Sequence, residues 1–223
     1  MASEYLKRKY QDVKPEEKRE LTQSEKRRNW WHYHWHFVVL SVAAAVVLGR
    51  IAVDHLTRVQ PDCSVALVVR FAPTGEEIGS LQSALEAVCP DANGDGKVSV
   101  AVNVIQLDYA AIEAGTMEPQ VMTANIDKLN ADFYTHQSGL FLMDDPAGFQ
   151  AANGALAAPD GSLPDEGADW RTLTVPWREC AVEQTSFRQL GEDGLWLGRR
   201  AAYTEAEENA FAGAAALWET LAG

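Results

Sequence analysis

Three groups of side chains in this 223-residue chain have types and spacings that could do chemistry. The first is Asp91, Asn93 and Asp95, followed by Gly96, in the run PDANGDG. Oxygen-bearing side chains at alternate positions ahead of a glycine match the first, third, fifth and sixth positions of a calcium loop. The twelfth position, where such a loop carries a bidentate Glu, is Val102, and a strand pattern replaces the exiting helix. The competing reading is a tight turn, which Asn-Gly and Asp-Gly form unaided. The second group is Thr74, Asp108, Tyr109, Asp144, Asp145 and Trp177, each lying just after an apolar run. Gathered at one edge of a sheet, the carboxylates would accept hydrogen bonds from ligand hydroxyls and the rings would stack on a sugar face. Against this, an Asp after a strand commonly caps the next turn or helix. The third group is Cys63 and Cys89, a pair that topology would bring to one sheet edge, either bridged or as two reduced thiols, with Cys180 left over.

The catalytic inventory is short, and no enzyme is expected. The body has two histidines, His55 beside the apolar run and His136 in the polar loop THQS, and neither belongs to a G-x-S-x-G arrangement. No H-E-x-x-H, phosphate-cradling Gly-rich loop or C-x-x-C is present. Asp144 and Asp145 are adjacent, so their side chains diverge on a strand and do not form a general acid–base pair. His32 and His36 share a helical face, but no carboxylate or Cys joins them locally, and imidazole suits an aromatic interfacial cluster without a metal.

The elements that must position these groups follow one another regularly. Ser64 to Phe71 (SVALVVRF) reads as a buried strand. Ile78, Leu81, Leu85 and Val88 then recur at helical spacing, with Glu76 and Glu77 in the first turn. Val98, Val100, Val102 and Val104 alternate with smaller or polar residues, predicting a second strand through Leu107. A second helix starts near Glu118-Pro119 and carries Met122, Ile126, Leu129 and Phe133, before a third strand at Gly139 to Met143. The order β-α-β-α-β predicts an α/β domain of three layers with a mostly parallel sheet. Beyond it come a short helix from Phe149 to Ala158, strands at Thr172 to Trp177 and around Leu195 to Leu197, and a closing helix opened by the capping box of Thr204 and Glu207.

Ahead of this body lies WWHYHWHFVVLSVAAAVVLGRIAV, Trp30 to Val53. The run from Trp35 reaches the ~20 residues a transmembrane helix needs, and Trp30, Trp31, Tyr33 and Trp35 fit an interfacial aromatic belt. Arg50 lies near the far end, where its stem can carry the charge to the interface. The twenty residues before Trp30 hold Lys14, Lys18, Arg19, Lys26, Arg27 and Arg28, against Arg58 and Arg70 in the twenty after Val53. The positive-inside rule then places the N-terminus in the cytoplasm and the body outside the cell membrane. The expected domains are a cytoplasmic tail (1–29), the span (30–53), a juxtamembrane linker (54–62) and an extracellular α/β domain (63–223).

Charge separates head from body. Residues 1–29 hold nine Lys/Arg against six Asp/Glu, and residues 54–223 nine against twenty-six, a net charge of -17. Such a body is no partner for nucleic acid, which asks for a cationic surface. The expected partners are the bilayer and either a small solute or another envelope protein.

The stretch from SVALVVRF through GLFLMDDPAGFQ, about residues 62 to 150, resembles the first lobe of an extracellular solute-binding protein of the ABC-importer type. The resemblance rests on the alternation of strands and helices and on a strand ending in Asp. It implies a binding domain with its ligand at the carboxyl ends of the strands. Receptors of that family close two lobes around a ligand and are usually lipid-anchored or free, whereas the roughly 160 residues here supply one lobe on a helical tether. No cofactor beyond the calcium raised above is expected. The alternative is a structural or assembly protein of the envelope that works through protein–protein contacts.

Overall fold

A computed structural model describes residues 20, 22–57, 60–183, 187–190 and 194–223, with backbone alone at 54–57. Most of the tail, part of the linker and the His55 side chain, on which parts of the reading above rest, lie outside the described residues. The chain divides into two units, Met1–Arg58 and Val59–Gly223.

The first unit is built on helix α1, Gln23–Thr57. Thr22 and Glu25 start it reciprocally: Glu25 Oε2 accepts from the Thr22 N–H at 2.9 Å, and Thr22 Oγ1 accepts from the Glu25 N–H at 3.5 Å. With that cap, the charged residues before Trp30 continue the helix, which is longer at both ends than the span read from hydropathy. His34 stacks on Trp30 with ring centroids 5.0 Å apart and bonds to its carbonyl oxygen, so this imidazole is engaged within the aromatic cluster. From Gln23 to Val53 the helix is long and apolar enough to cross a membrane, and none of its apolar stretch is buried.

The second unit is an α/β body on a five-stranded sheet. Its strands are β1 Cys63–Val69, β2 Val100–Gln106, β3 Leu140–Met143, β4 Thr174–Pro176 and β5 Trp196–Arg199, in the order β2-β1-β3-β5-β4. β1 pairs parallel with β2 and β3, whereas β3 with β5 and β4 with β5 are antiparallel. The sheet is therefore mixed rather than mostly parallel. Among the described residues between β4 and β5 there is no crossover helix, and β5 returns antiparallel to its neighbour on either side.

The helices are α2 Gly75–Glu86, α3 Tyr109–Glu113, α4 Pro119–Thr135, α5 Pro146–Asn153, α6 Glu205–Ala210 and α7 Ala212–Ala222. Alternation along β1 sorts its side chains between two apolar clusters. Val65, Leu67 and Val69 join Leu81 and Leu85 of α2 and Leu217 and Trp218 of α7. Ala66 and Val68 join Leu129 of α4 and Phe149 of α5. α5 begins earlier than its apolar pattern suggests, because Asp145 caps it, Pro146 fills its first position, and Gly154 ends it at φ 59°.

Candidate functional site

The order β2-β1-β3 means that the chain leaves β1 for one neighbour and later returns to the other. In open α/β sheets ligands bind beyond the carboxyl ends of the strands that flank such a reversal, here β1 and β3. Arg70 and Asp144 stand at those two strand ends. Asp144 Oδ2 accepts from Arg70 Nε at 2.9 Å and from the Arg70 backbone N–H at 3.1 Å. The Asp144 side chain is buried and the Arg70 side chain is 56% exposed. Burial pushes the Asp144 carboxyl up from its ordinary value and outweighs the opposing pull of Arg70. The bond to Asp144 holds the Arg70 guanidinium all the more firmly charged.

Thr74, Asp108, Tyr109 and Asp145 are each engaged within the body. Thr74 caps α2, accepting from the Glu77 N–H at 3.3 Å, while Glu77 Oε2 accepts from the Thr74 N–H at 2.7 Å. Asp108 caps α3 through the Ala111 N–H, and Asp145 caps α5 through the Gly148 N–H, each at 2.9 Å. Tyr109 packs against Gly148, where an added Cβ would lie 2.8 Å from the Tyr109 Cβ. The Tyr109 hydroxyl accepts from Asn153 Nδ2 at 3.2 Å, and burial pushes its pKa up to about 12.

Trp177 is buried instead. Pro176 ends β4, and the chain turns at once into a 3-10 turn, Trp177–Glu179. That turn directs the indole into the apolar cluster shared with α2 and α7, leaving it 3% exposed.

In the PDANGDG loop, the three oxygen-bearing side chains bond to the loop's own backbone. Asp91 accepts from the Gly94 and Gly96 N–H groups at 2.7 and 2.9 Å, Asn93 from Asp95 and Asp95 from Lys97, both at 2.8 Å. Among the described residues no group of three or more His, Cys, Asp or Glu side chains is arranged to hold a metal ion. The loop is fastened by a residue the sequence reading passed over. Asp62 Oδ1 accepts from Ala92 and Asn93, and Oδ2 from Ser99, at 2.9 to 3.0 Å. Burial would raise the Asp62 pKa, but these backbone donors together hold it below its ordinary value.

Cys63, Cys89 and Cys180 are buried free thiols. Burial raises the pKa of Cys63 to about 12 and those of Cys89 and Cys180 to about 11. A thiol so protonated is a poor nucleophile at neutral pH.

A second polar cluster, also missed from sequence, lies at the opposite end of the sheet, where Ser138 and Gly139 lead into β3. Buried Asp132 accepts from the Ser138 N–H and hydroxyl, and Asn103 Nδ2 donates to Ser138 Oγ at 3.2 Å. Arg200 donates to the carbonyls of Asp132, Phe133 and Ser138, at 2.8 to 3.3 Å, and so caps the carboxyl end of α4. Its guanidinium lies between the rings of Phe133 and Phe211, 5.0 and 4.8 Å from their centroids. The partners are separated by more than sixty residues, so local pattern carries no signal of them.

Compared with models of protein families, with curated proteins and with solved structures, the chain matches none.

Proposed function

We propose that this chain is a single-pass membrane protein whose α/β body, held at the outer face of the cell membrane, is a non-catalytic binding domain. The observation that supports this best is α1 itself. Its apolar surface finds no cover within the described residues, while the body closes its own core around both faces of the sheet. An exposed apolar helix of this length costs far less in hydrocarbon than in water. The six cations in the twenty residues before Trp30 orient the tail inward. The layered body then stands as a single lobe of the solute-binding type, with its ligand unidentified and no cofactor required.

At the rim, Asp108, Asp145 and Thr74 already serve as helix caps, which favours a second reading in which the body works in envelope assembly through protein–protein contacts. The solute reading keeps one specific support, the half-exposed guanidinium of Arg70 at the point where the strand order reverses. Washing membranes with alkaline carbonate and then adding detergent tests the anchoring. The full-length chain stays in the pellet until detergent is added. Its release into the carbonate wash would contradict the proposal.

A further inference from the structure

Two concavities adjoin at the carboxyl end of α4. The smaller, about 170 Å³, includes Phe133, Asn153, Arg200, Tyr203 and Glu207 in its lining, and the wider one is lined by Asn130, Phe133, Tyr134 and His136. Phe133 belongs to both. The contact of His136 Nδ1 with Glu207 Oε1, 3.2 Å, joins a wall of one to a wall of the other. Among the described Phe, Tyr and Trp residues of the body, Tyr134 and Tyr203 are the exposed ones, at 86% and 64%. One exposed ring needs no explanation, but two bordering adjoining concavities form a pair of platforms. Both are held on firm backbone: Tyr134 in the last turn of α4, and Tyr203 by its N–H donating to Glu207 Oε2 at 2.8 Å.

We propose that these two adjoining concavities together bind a neutral oligosaccharide, with Tyr134 and Tyr203 as stacking platforms. The inference rests on the reading of the body as a binding domain and moves the contact away from the strand rim. The ionic groups in the lining are already matched, Arg200 by three carbonyls and Asp132, and Glu207 by His136, Tyr203 and Thr204. The amides of Asn130 and Asn153 add both donors and acceptors. A lining with rings, amides and balanced charge suits a ligand with apolar faces and many hydroxyls. The net charge of -17 on the body disfavours an anionic glycan. A peptide that adds as a strand needs a sheet edge, whereas both concavities are walled mainly by helix ends and loops.

The test is calorimetric titration of the full chain in nanodiscs, avoiding sugar-headed detergents. The probes are cellotetraose, maltotetraose and the tetramer of N-acetylglucosamine, with a sulfated oligosaccharide and a proline-rich peptide as contrasts. Saturable binding of at least one neutral sugar is expected, weakened about tenfold by Tyr134→Ala and by Tyr203→Ala at unchanged melting temperature. Neutral-sugar binding that survives both substitutions overturns the site and leaves the binding-domain reading standing. Saturable binding of the peptide or the sulfated sugar alone overturns the ligand class. Silence with every probe counts against both the inference and the small-solute form of the reading beneath it.

Discussion

Arg70 and Asp144, 74 residues apart in sequence, lock the carboxyl ends of the neighbouring strands β1 and β3 through a single carboxylate oxygen. Removing the carboxylate strands a backbone donor, while the half-exposed guanidinium can turn to water. Asp144→Ala is therefore expected to cost about 1–2 kcal/mol in urea denaturation. Asp144→Asn, which keeps an acceptor, should cost less.

The same carboxyl has a defined pH signature. Because its folded pKa is raised, the contribution of its proton is complete below the unfolded value of about 4 and is lost as pH climbs through the folded value. The stability of the parent relative to Asp144→Asn should decline with rising pH across that window. A flat difference between the two would mean that the folded pKa of Asp144 is not raised.

Asp62 carries the opposite sign. Its pKa is depressed by the N–H groups of Ala92, Asn93 and Ser99, so its contribution is present at neutral pH and is lost as pH falls through the folded value. Asp62→Ala should cost about 2–3 kcal/mol at neutral pH and release the loop, visible as faster amide exchange at Asn93 and Ser99. A loop held this way gives no saturable heat with calcium at millimolar concentration. A one-site isotherm abolished by Asp91→Ala would instead assign Asp91, Asn93 and Asp95 to the metal.

Buried thiols make a third expectation. At neutral pH none of Cys63, Cys89 and Cys180 should react with an aromatic disulfide reagent in the native protein, and all three should react in denaturant, with or without reductant. A count of one without reductant would mean a bridge, for which Cys63 and Cys89 are the pair to map. Their raised pKa values also imply that stability falls as pH rises from about 8.5 towards 11.

Close packing gives a fourth. A Cβ on Gly213 would lie 2.0 Å from the carbonyl oxygen of Asp62, and one on Gly139 would lie 2.4 Å from the Cβ of Ala214. Each Gly→Ala change should cost about 2–3 kcal/mol, because α7 must move off the sheet. Gly79, inside α2 with open space around it, should gain about 0.5–1 kcal/mol from the same change.

Much of this architecture is legible in the chain because the relevant period is local. The Val98 to Leu107 alternation and the α2 and α4 stripes announce elements that form nearly where expected, and the Thr204–Glu207 cap starts α6 as it reads. What sequence cannot carry is pairing at a distance. The antiparallel turn-back of β5 depends on three- and four-residue strands with no crossover to announce it. The Asp132, Ser138 and Arg200 cluster joins residues with no common pattern. Asp108 and Asp145 fit a helix cap and a ligand contact equally well on paper, and only their N–H partners in space distinguish the two uses. Trp177 misleads for a related reason: a ring following a strand points to the rim unless the backbone turns, and after Pro176 it does.

That α1 holds the body outside a bilayer is tested directly by a thiol label. The three native thiols are buried, so Lys97→Cys on the exposed loop supplies the one reactive site. On intact cells a membrane-impermeant maleimide should label this variant as fully as it does after lysis. Labelling that appears only once the cells are broken would place the body inside and contradict the account.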